Sequence, residues 1–236
     1  MGVRFGREKR RQWLVSIAYK LNAFAPLSLR RKLHALLDLN WISWRLAHES
    51  ATRLKLDQLA GNDFLYCRIR SEDAILDLGC SSGQMTNKLA GMARQVVGVD
   101  HSGEKLALAR SAYPGIEFVE CDAQQYLDDS GTKFDVLIMS HVLEHLDHPE
   151  AVLRLAHRFE RTYVEVPDFD AFPLNSVRQH LGRELIYSDN DHVAEYDRDE
   201  MADLIGRAGL EIDAAEYRYG VMKYWLRPSL GNASPA

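Results

Sequence analysis

The stretch Ala74–Gly83, AILDLGCSSG, decides the fold. Ala74–Leu78 is apolar at four of five positions, the pattern of a strand buried on both faces. Gly79-Cys80-Ser81-Ser82-Gly83 is a turn of small residues. Gln84–Met92 continues at helical spacing. A strand feeding a glycine turn and then a helix is the opening unit of an open α/β sheet. Ligands of such sheets lie beyond the carboxyl ends of the strands. Small residues let the backbone approach a ligand there, and the helix N-terminus offers unpaired N–H groups.

Outward from this unit, strand and helix patterns alternate. Gln95–Val99 reads as a second strand ending at Asp100, and Ser102 can cap a helix running to Ala112. Ile116–Glu120 is the third strand, closed by Cys121-Asp122. Phe134–Met139 is the fourth, and Pro149 suits the first turn of a helix to Phe159. Thr162–Val166 is the fifth. Asp199–Ala208 is a helix stopped by Gly209, and Leu210–Tyr217 and Val221–Leu226 form a hairpin that closes the sheet with an antiparallel strand. The alternation predicts an α/β, doubly wound sheet with right-handed crossovers. Residues 1–60 read as a helical cap or arm, 61–227 as the ligand-binding domain and 228–236 as a tail.

The glycine turn admits several readings. As bare turn chemistry it needs no ligand. A dinucleotide site needs G-x-G-x-x-G, which Ser81 and Gln84 break. G-x-S-x-G matches a hydrolase elbow with Ser81 as nucleophile, but that fold places more sheet before the nucleophile, and here the preceding region reads as helices. The remaining reading is an S-adenosylmethionine (SAM) loop with serine for its middle glycine. Three acids favour it. Asp100, closing strand two, can accept from both ribose hydroxyls. Asp122, closing strand three, can accept from the adenine amino group. Asp77 can orient the loop or the ligand's ammonium. Each alone is no more than a helix cap; together, beside the glycine turn, they describe one ligand.

The series ILDLGCSSG, VVGVDHS, VECDAQQY and FDVLIMSHVLEHLDHPEAVL resembles the class I SAM-dependent methyltransferases, continued more loosely by YVEVPD and HVAEYDRDEMADLIGRAGLEI. The resemblance implies a seven-stranded sheet of order 3-2-1-4-5-7-6 with strand seven antiparallel. It implies SAM as cofactor, held by Asp77, Gly79, Cys80, Gly83, Asp100, His101, Asp122, Ala123 and Ser140. Ser81 departs from it, since many relatives carry glycine there.

The substrate side centres on Ser140–His145, at the sheet's carboxyl edge. A hydroxyl acceptor must lose its proton, so a base or a metal is expected. His141, His145 and His192 are the candidate bases. SHVLEH also resembles the E-x-x-E-H stretch of the ubiquinone O-methyltransferases, which implies a divalent metal. Its ligands here would be Glu144 and His145, completed by Glu165 and Asp168. Oxygen ligands suit magnesium and histidines suit a transition metal. Phe169, Phe172 and Tyr187 belong to a lid insert over about 169–192, where they either stack on an acceptor ring or pack the insert. The expected activity is O-methylation of a small molecule, a sugar or glycan first, with a quinone or phenol, or an amino-sugar nitrogen, as alternatives. A SAM-binding module without catalysis is the alternative of another class.

Composition narrows partners. Residues 1–53 carry eleven Lys/Arg against three Asp/Glu, whereas the remainder carries eighteen against thirty-one. So acidic a body argues against a nucleic-acid groove, because phosphates must be met by cations. The basic arm is a candidate for peripheral contact with a membrane surface, and its Trp41, Trp44 and Arg45 for capping the cofactor. Three scattered cysteines suggest neither disulfides nor a thiolate zinc site. The N-terminal charge and apolar run are laid out like a signal peptide, but Lys20 and Asn22 break the run, so a reduced cytoplasmic setting is expected.

Overall fold

The computed structural model describes residues 61–129, 134–171, 173–180, 182–189 and 191–229, with 16, 24–29, 32 and 43. Two compact units divide the chain, Met1–Lys55 and Leu56–Ala236. Nearly all of the expected helical cap, including Trp41, Trp44 and Arg45, lies outside the described residues, as do Phe172 and most of the tail. Among the described residues no helix is long and apolar enough to cross a membrane.

Seven strands form one sheet: β1 Ala74–Leu78, β2 Gln95–Asp100, β3 Glu117–Glu120, β4 Val136–Ser140, β5 Arg161–Pro167, β6 Leu210–Arg218 and β7 Val221–Pro228. Their order is β3-β2-β1-β4-β5-β7-β6, as the resemblance implied. β1 to β5 pair in parallel, and β7 runs antiparallel between β5 and β6. The described helices are α1 Asp63–Tyr66, α2 Gln84–Ala90, α3 Gly103–Ala112, α4 Ala123–Asp129, α5 Pro149–Leu155, α6 Pro173–His180 and α7 Arg198–Arg207.

The period of two along each strand divides the core between the two faces. Leu76, Leu78, Val97, Val99, Leu137, Met139 and Val164 pack with Val152 and Leu153 of α5 and Met201 and Leu204 of α7. Ile75, Val96, Val136, Ile138 and Tyr163 face the other way, onto Leu65 of α1 and Leu89 of α2. Every β1 residue is buried, Asp77 included, which is why the stretch reads as a continuous apolar run.

Helix ends follow the local chemistry. Ser102 Oγ accepts from Lys105 N at 3.3 Å at the start of α3. Asp197 and Glu200 form a reciprocal capping box on α7. Three helices were not expected from the sequence: α1, α4 and α6. α4 begins where Asp122 Oδ1 accepts from Gln124 N and Gln125 N at 2.9 and 3.0 Å. α6 lies inside the insert. The predicted helix to Phe159 stops at Leu155 and tightens into a 3-10 turn, Ala156–Arg158.

Candidate functional site

Strand order diverges between β1 and β4, and the crevice beyond their carboxyl ends is the ligand position of open α/β sheets. A cleft of about 380 Å3 opens there, lined by Asp77, Gly79, Cys80, Ser81, Gln84 and Ser140 among others.

The turn is built by backbone constraint. Gly79 has φ +78°, and a Cβ on it would stand 2.5 Å from Val142 Cγ2, so only glycine fits. Gly79 N and Cys80 N both donate to Val99 O, at 2.7 and 3.0 Å, tying the turn to β2. Ser81 takes φ +50°, the left-handed backbone of the glycine it replaces, at a cost of about 1–2 kcal/mol. Its N–H donates to Asp100 Oδ2 at 2.8 Å, while Ser102 N donates to Oδ1 at 2.8 Å. Asp100 therefore clamps the turn.

Asp77 is 3% exposed and accepts from Thr86 Oγ1 at 2.6 Å. Burial pushes its carboxyl up to about 6; the Thr86 hydroxyl pulls it back, and the charge of Asp100 adds to the rise. Burial likewise pushes the Cys80 thiol up to about 12, so this cysteine packs and does not react.

Of the residues read as cofactor contacts, Asp77, Gly79, Cys80 and Ser140 line the cleft. Asp100 and Gly83 support the turn; a Cβ on Gly83 would meet the Phe118 ring at 2.7 Å. His101, Asp122 and Ala123 stand outside the lining, with His101 solvent-exposed and Asp122 occupied as the cap of α4. Sequence reading missed Asn62 and Tyr66, which line the cleft from the α1 region. Four residues are too short for a helical period, so no signal marked them. Lys88 Nζ lies 3.8 Å from the centre of the Tyr66 ring.

The acceptor side departs from expectation in two ways. First, both ring nitrogens of His141 face carboxylates, which leaves neither directed at an acceptor. Its Nδ1 lies 2.9 Å from Glu144 Oε1 and its Nε2 3.5 Å from Glu165 Oε1. Burial alone lowers the imidazole, but the bonds and charges of Glu144 and Glu165 outweigh it and push it up to about 10. That favours the imidazolium at neutral pH, and the residue's backbone, at φ +55°, donates its N–H to Glu165 O at 2.8 Å. Second, the four expected metal ligands do not converge. Glu165 Oε2 accepts from Tyr163 OH at 2.6 Å while Oε1 faces His141. Asp168 Oδ2 pairs with Arg198 Nη2 at 2.7 Å and Oδ1 accepts from Asp170 N. Both carboxylates are already committed.

Instead, Glu144, His145 and His192 offer ligand atoms within 4.8 Å of one another. Glu144 is fully buried, and its Oε2 has no hydrogen-bond partner. The His145 and His192 rings meet edge to face at 4.9 Å. His192 Nδ1 lies 2.8 Å from Glu195 Oε1, which also accepts from Ser188 Oγ at 2.5 Å. A carboxylate only accepts, so Nδ1 carries the hydrogen and Nε2 is the atom left for chemistry. Burial lowers the His192 imidazole, but Glu195 and the charge of Glu144 raise it further. Residues 191–196 bring His192 here by docking on the 3-10 turn Leu143–His145: Val193 N and Ala194 N donate to Glu144 O at 2.8 and 3.3 Å. Phe169 is buried and offers no ring to an acceptor.

A family model described as a methyltransferase domain matches residues 46–215. The ubiquinone biosynthesis O-methyltransferase of Pseudoalteromonas translucida is 32% identical over 82 residues, covering 33% of this chain and 35% of that protein. The mitochondrial enzyme of that name from Mus musculus is 31% identical over 91 residues, covering 36% of this chain and 25% of that protein. The chain thus spans about a third or less of the length of these curated relatives. A SAM-dependent methyltransferase of Clostridium acetobutylicum superposes with a TM-score of 0.57 at 13% identity, over 80% of this chain and 99% of that one. Magnesium protoporphyrin IX methyltransferase of Synechocystis, with bound SAH, gives 0.53 at 16% identity, over 77% and 84%. The two structures share the fold; the family model spans β1 to β5 and part of β6, with the glycine turn and the acid-ended strands. The chain belongs to the class I SAM-dependent methyltransferase family.

Proposed function

We propose that the chain transfers the methyl group of SAM to a hydroxyl of a small molecule, a sugar or glycan first. The observation that carries the hydroxyl reading is the cluster of Glu144, His145 and His192 just beyond β4. An alcohol is a poor nucleophile until its proton is withdrawn, and these are the groups in place to withdraw it or to lower its pKa.

The residues present suit the cofactor. Gly79 and Ser81 hold a backbone that presses close to the cleft, and the buried Asp77 lines it with Thr86 Oγ1 as its donor. Asp77 would hold the ammonium of SAM, Asp100 its ribose hydroxyls, and the Gly79–Ser82 backbone its body. When bound, SAM supplies a methyl carbon made electrophilic by its sulfonium. Glu144, His145 and His192 would take up the proton of the acceptor hydroxyl as it receives that methyl group. Holding the two reactants in line supplies much of the rate.

A polyhydroxylated acceptor suits the polar surroundings that His145, Asp189 and Asp191 make beside the buried Glu144. A phenolic hydroxyl of a quinone precursor is the second reading, favoured by the names of the curated relatives. Transfer from labelled SAM over a panel of sugars, glycosides, phenols and quinols tests both. His145→Ala and His192→Ala should keep SAM affinity while transfer falls by about 100-fold or more. Wild-type transfer in both variants would sink the cluster's role, and SAM binding with no acceptor methylated in any class would leave a binding module.

A further inference from the structure

We propose that residues 9–37 dock on an anionic lipid bilayer, with Phe24, Leu27 and Leu29 entering the headgroup boundary between two clusters of cations.

The positive charge of the chain is concentrated in this stretch. Residues 9–37 carry seven Lys/Arg and no Asp or Glu. Lys9, Arg10 and Arg11 open the stretch, and Arg30, Arg31 and Lys32 stand near its end. The residues between the two clusters are mostly apolar. Lys20, Asn22 and Pro26 interrupt them, which suits a segment lying in the interface rather than one that spans with about 20 apolar residues.

Exposure is the second observation. Phe24 is 89% exposed, Leu27 62% and Leu29 47%. Lys32, three residues beyond Leu29, is exposed as well. Leu29 N donates to Pro26 O at 3.0 Å, so a turn at the proline fixes the backbone that carries these side chains. Large apolar groups standing together in water beside cations mark an interaction surface.

Chemistry decides what covers them. An anionic headgroup layer attracts cations, by about fivefold in affinity for each Lys or Arg. The acyl boundary beneath it takes Phe and Leu. A nucleic acid offers phosphates to the cations but leaves Leu27 and Leu29 in water. The acidic body of a second copy would likewise match the charge and not the apolar groups. From residue 54 onward the chain carries eighteen Lys/Arg against thirty-one Asp/Glu, so the same lipid surface repels it and attachment falls to the basic stretch.

Vesicle binding by the full chain tests this without turnover. The chain is sedimented with vesicles of phosphatidylcholine alone and of phosphatidylcholine mixed with phosphatidylglycerol, at low and high salt. Binding to the anionic vesicles should be at least about 100-fold tighter than to the neutral ones and should collapse in high salt. Arg30→Ser/Arg31→Ser/Lys32→Ser should weaken it by about 100-fold. Phe24→Ser/Leu27→Ser should weaken it by about tenfold or more. Lipids brominated in the acyl chain should quench tryptophan fluorescence, a signal that surface charge alone does not give. Each variant is checked for native circular dichroism, and Arg10→Ser/Arg11→Ser serves if the triple variant does not fold. Equal binding to neutral vesicles, undiminished binding in the charge variants, or no quenching would overturn the proposal. So would tighter binding to an RNA oligomer than to anionic vesicles, or a dimer that forms through these residues and withholds them from lipid. Any of these failures leaves the methyl-transfer reading untouched.

Discussion

Replacing Asp77 by Asn should make the free protein more stable and a poorer binder of SAM. The carboxyl sits at about 6 in the folded chain against 3.8 ordinarily, because burial penalises its charge. A raised carboxyl favours folding fully below pH 3.8, and that contribution is lost as pH rises through about 6. At neutral pH the buried charge costs about 3 kcal/mol. Asn removes the charge and keeps an oxygen for the Thr86 hydroxyl at 2.6 Å. Its amide hydrogens take back about 1–3 kcal/mol if they find no acceptor. A net gain of up to about 2 kcal/mol raises Tm by up to roughly 8 °C in a domain of this size. Thermal unfolding at pH 7.5 should show that gain, and at pH 3.5 it should vanish. SAM affinity, by calorimetry, should fall about 30-fold or more with the loss of a buried charge-assisted contact. The wild type should itself bind SAM about tenfold more weakly at pH 5 than at pH 7, since Asp77 must first lose its proton. A variant that is no more stable at pH 7.5 and still binds SAM would refute both the buried charge and its purpose.

Other outcomes follow from single contacts. Gly79→Ala places a Cβ 2.5 Å from Val142 Cγ2 at φ +78°, and should cost about 2–3 kcal/mol in urea unfolding; adding Val142→Ala should relieve the clash but not the backbone strain. His141→Gln leaves Glu144 and Glu165 without their shared cation, and should cost about 3–5 kcal/mol at neutral pH. Since His141 is raised from 6.5 to about 10, its contribution is complete below pH 6.5 and lost as pH climbs through about 10. The wild type's decline in stability over that window should be absent in the variant.

Legibility followed sequence distance. The glycine turn was readable because its chemistry is local: Gly79 and Gly83 need positive φ wherever the sheet sits. The strand-end acids were readable as a set, yet their individual duties were not. Asp122 turned out to cap α4 and Asp100 to clamp Ser81, both through backbone bonds that residue type alone does not specify. Asn62 and Tyr66 escaped because they approach the cleft from a helix too short to leave a period.

The sequence by itself determined the alternation of buried strand and helix, hence the parallel sheet, and the place of its ligand at the end of β1. Those follow from apolar period and turn chemistry, which act between near neighbours. Only the tertiary structure decided what the histidines do. His141 and His145 stand four residues apart, but one is locked between two buried carboxylates and the other meets His192, forty-seven residues further on. Whether an imidazole is cation, base or ligand depends on the charges around it, and the fold brings those charges from β4, β5 and the insert.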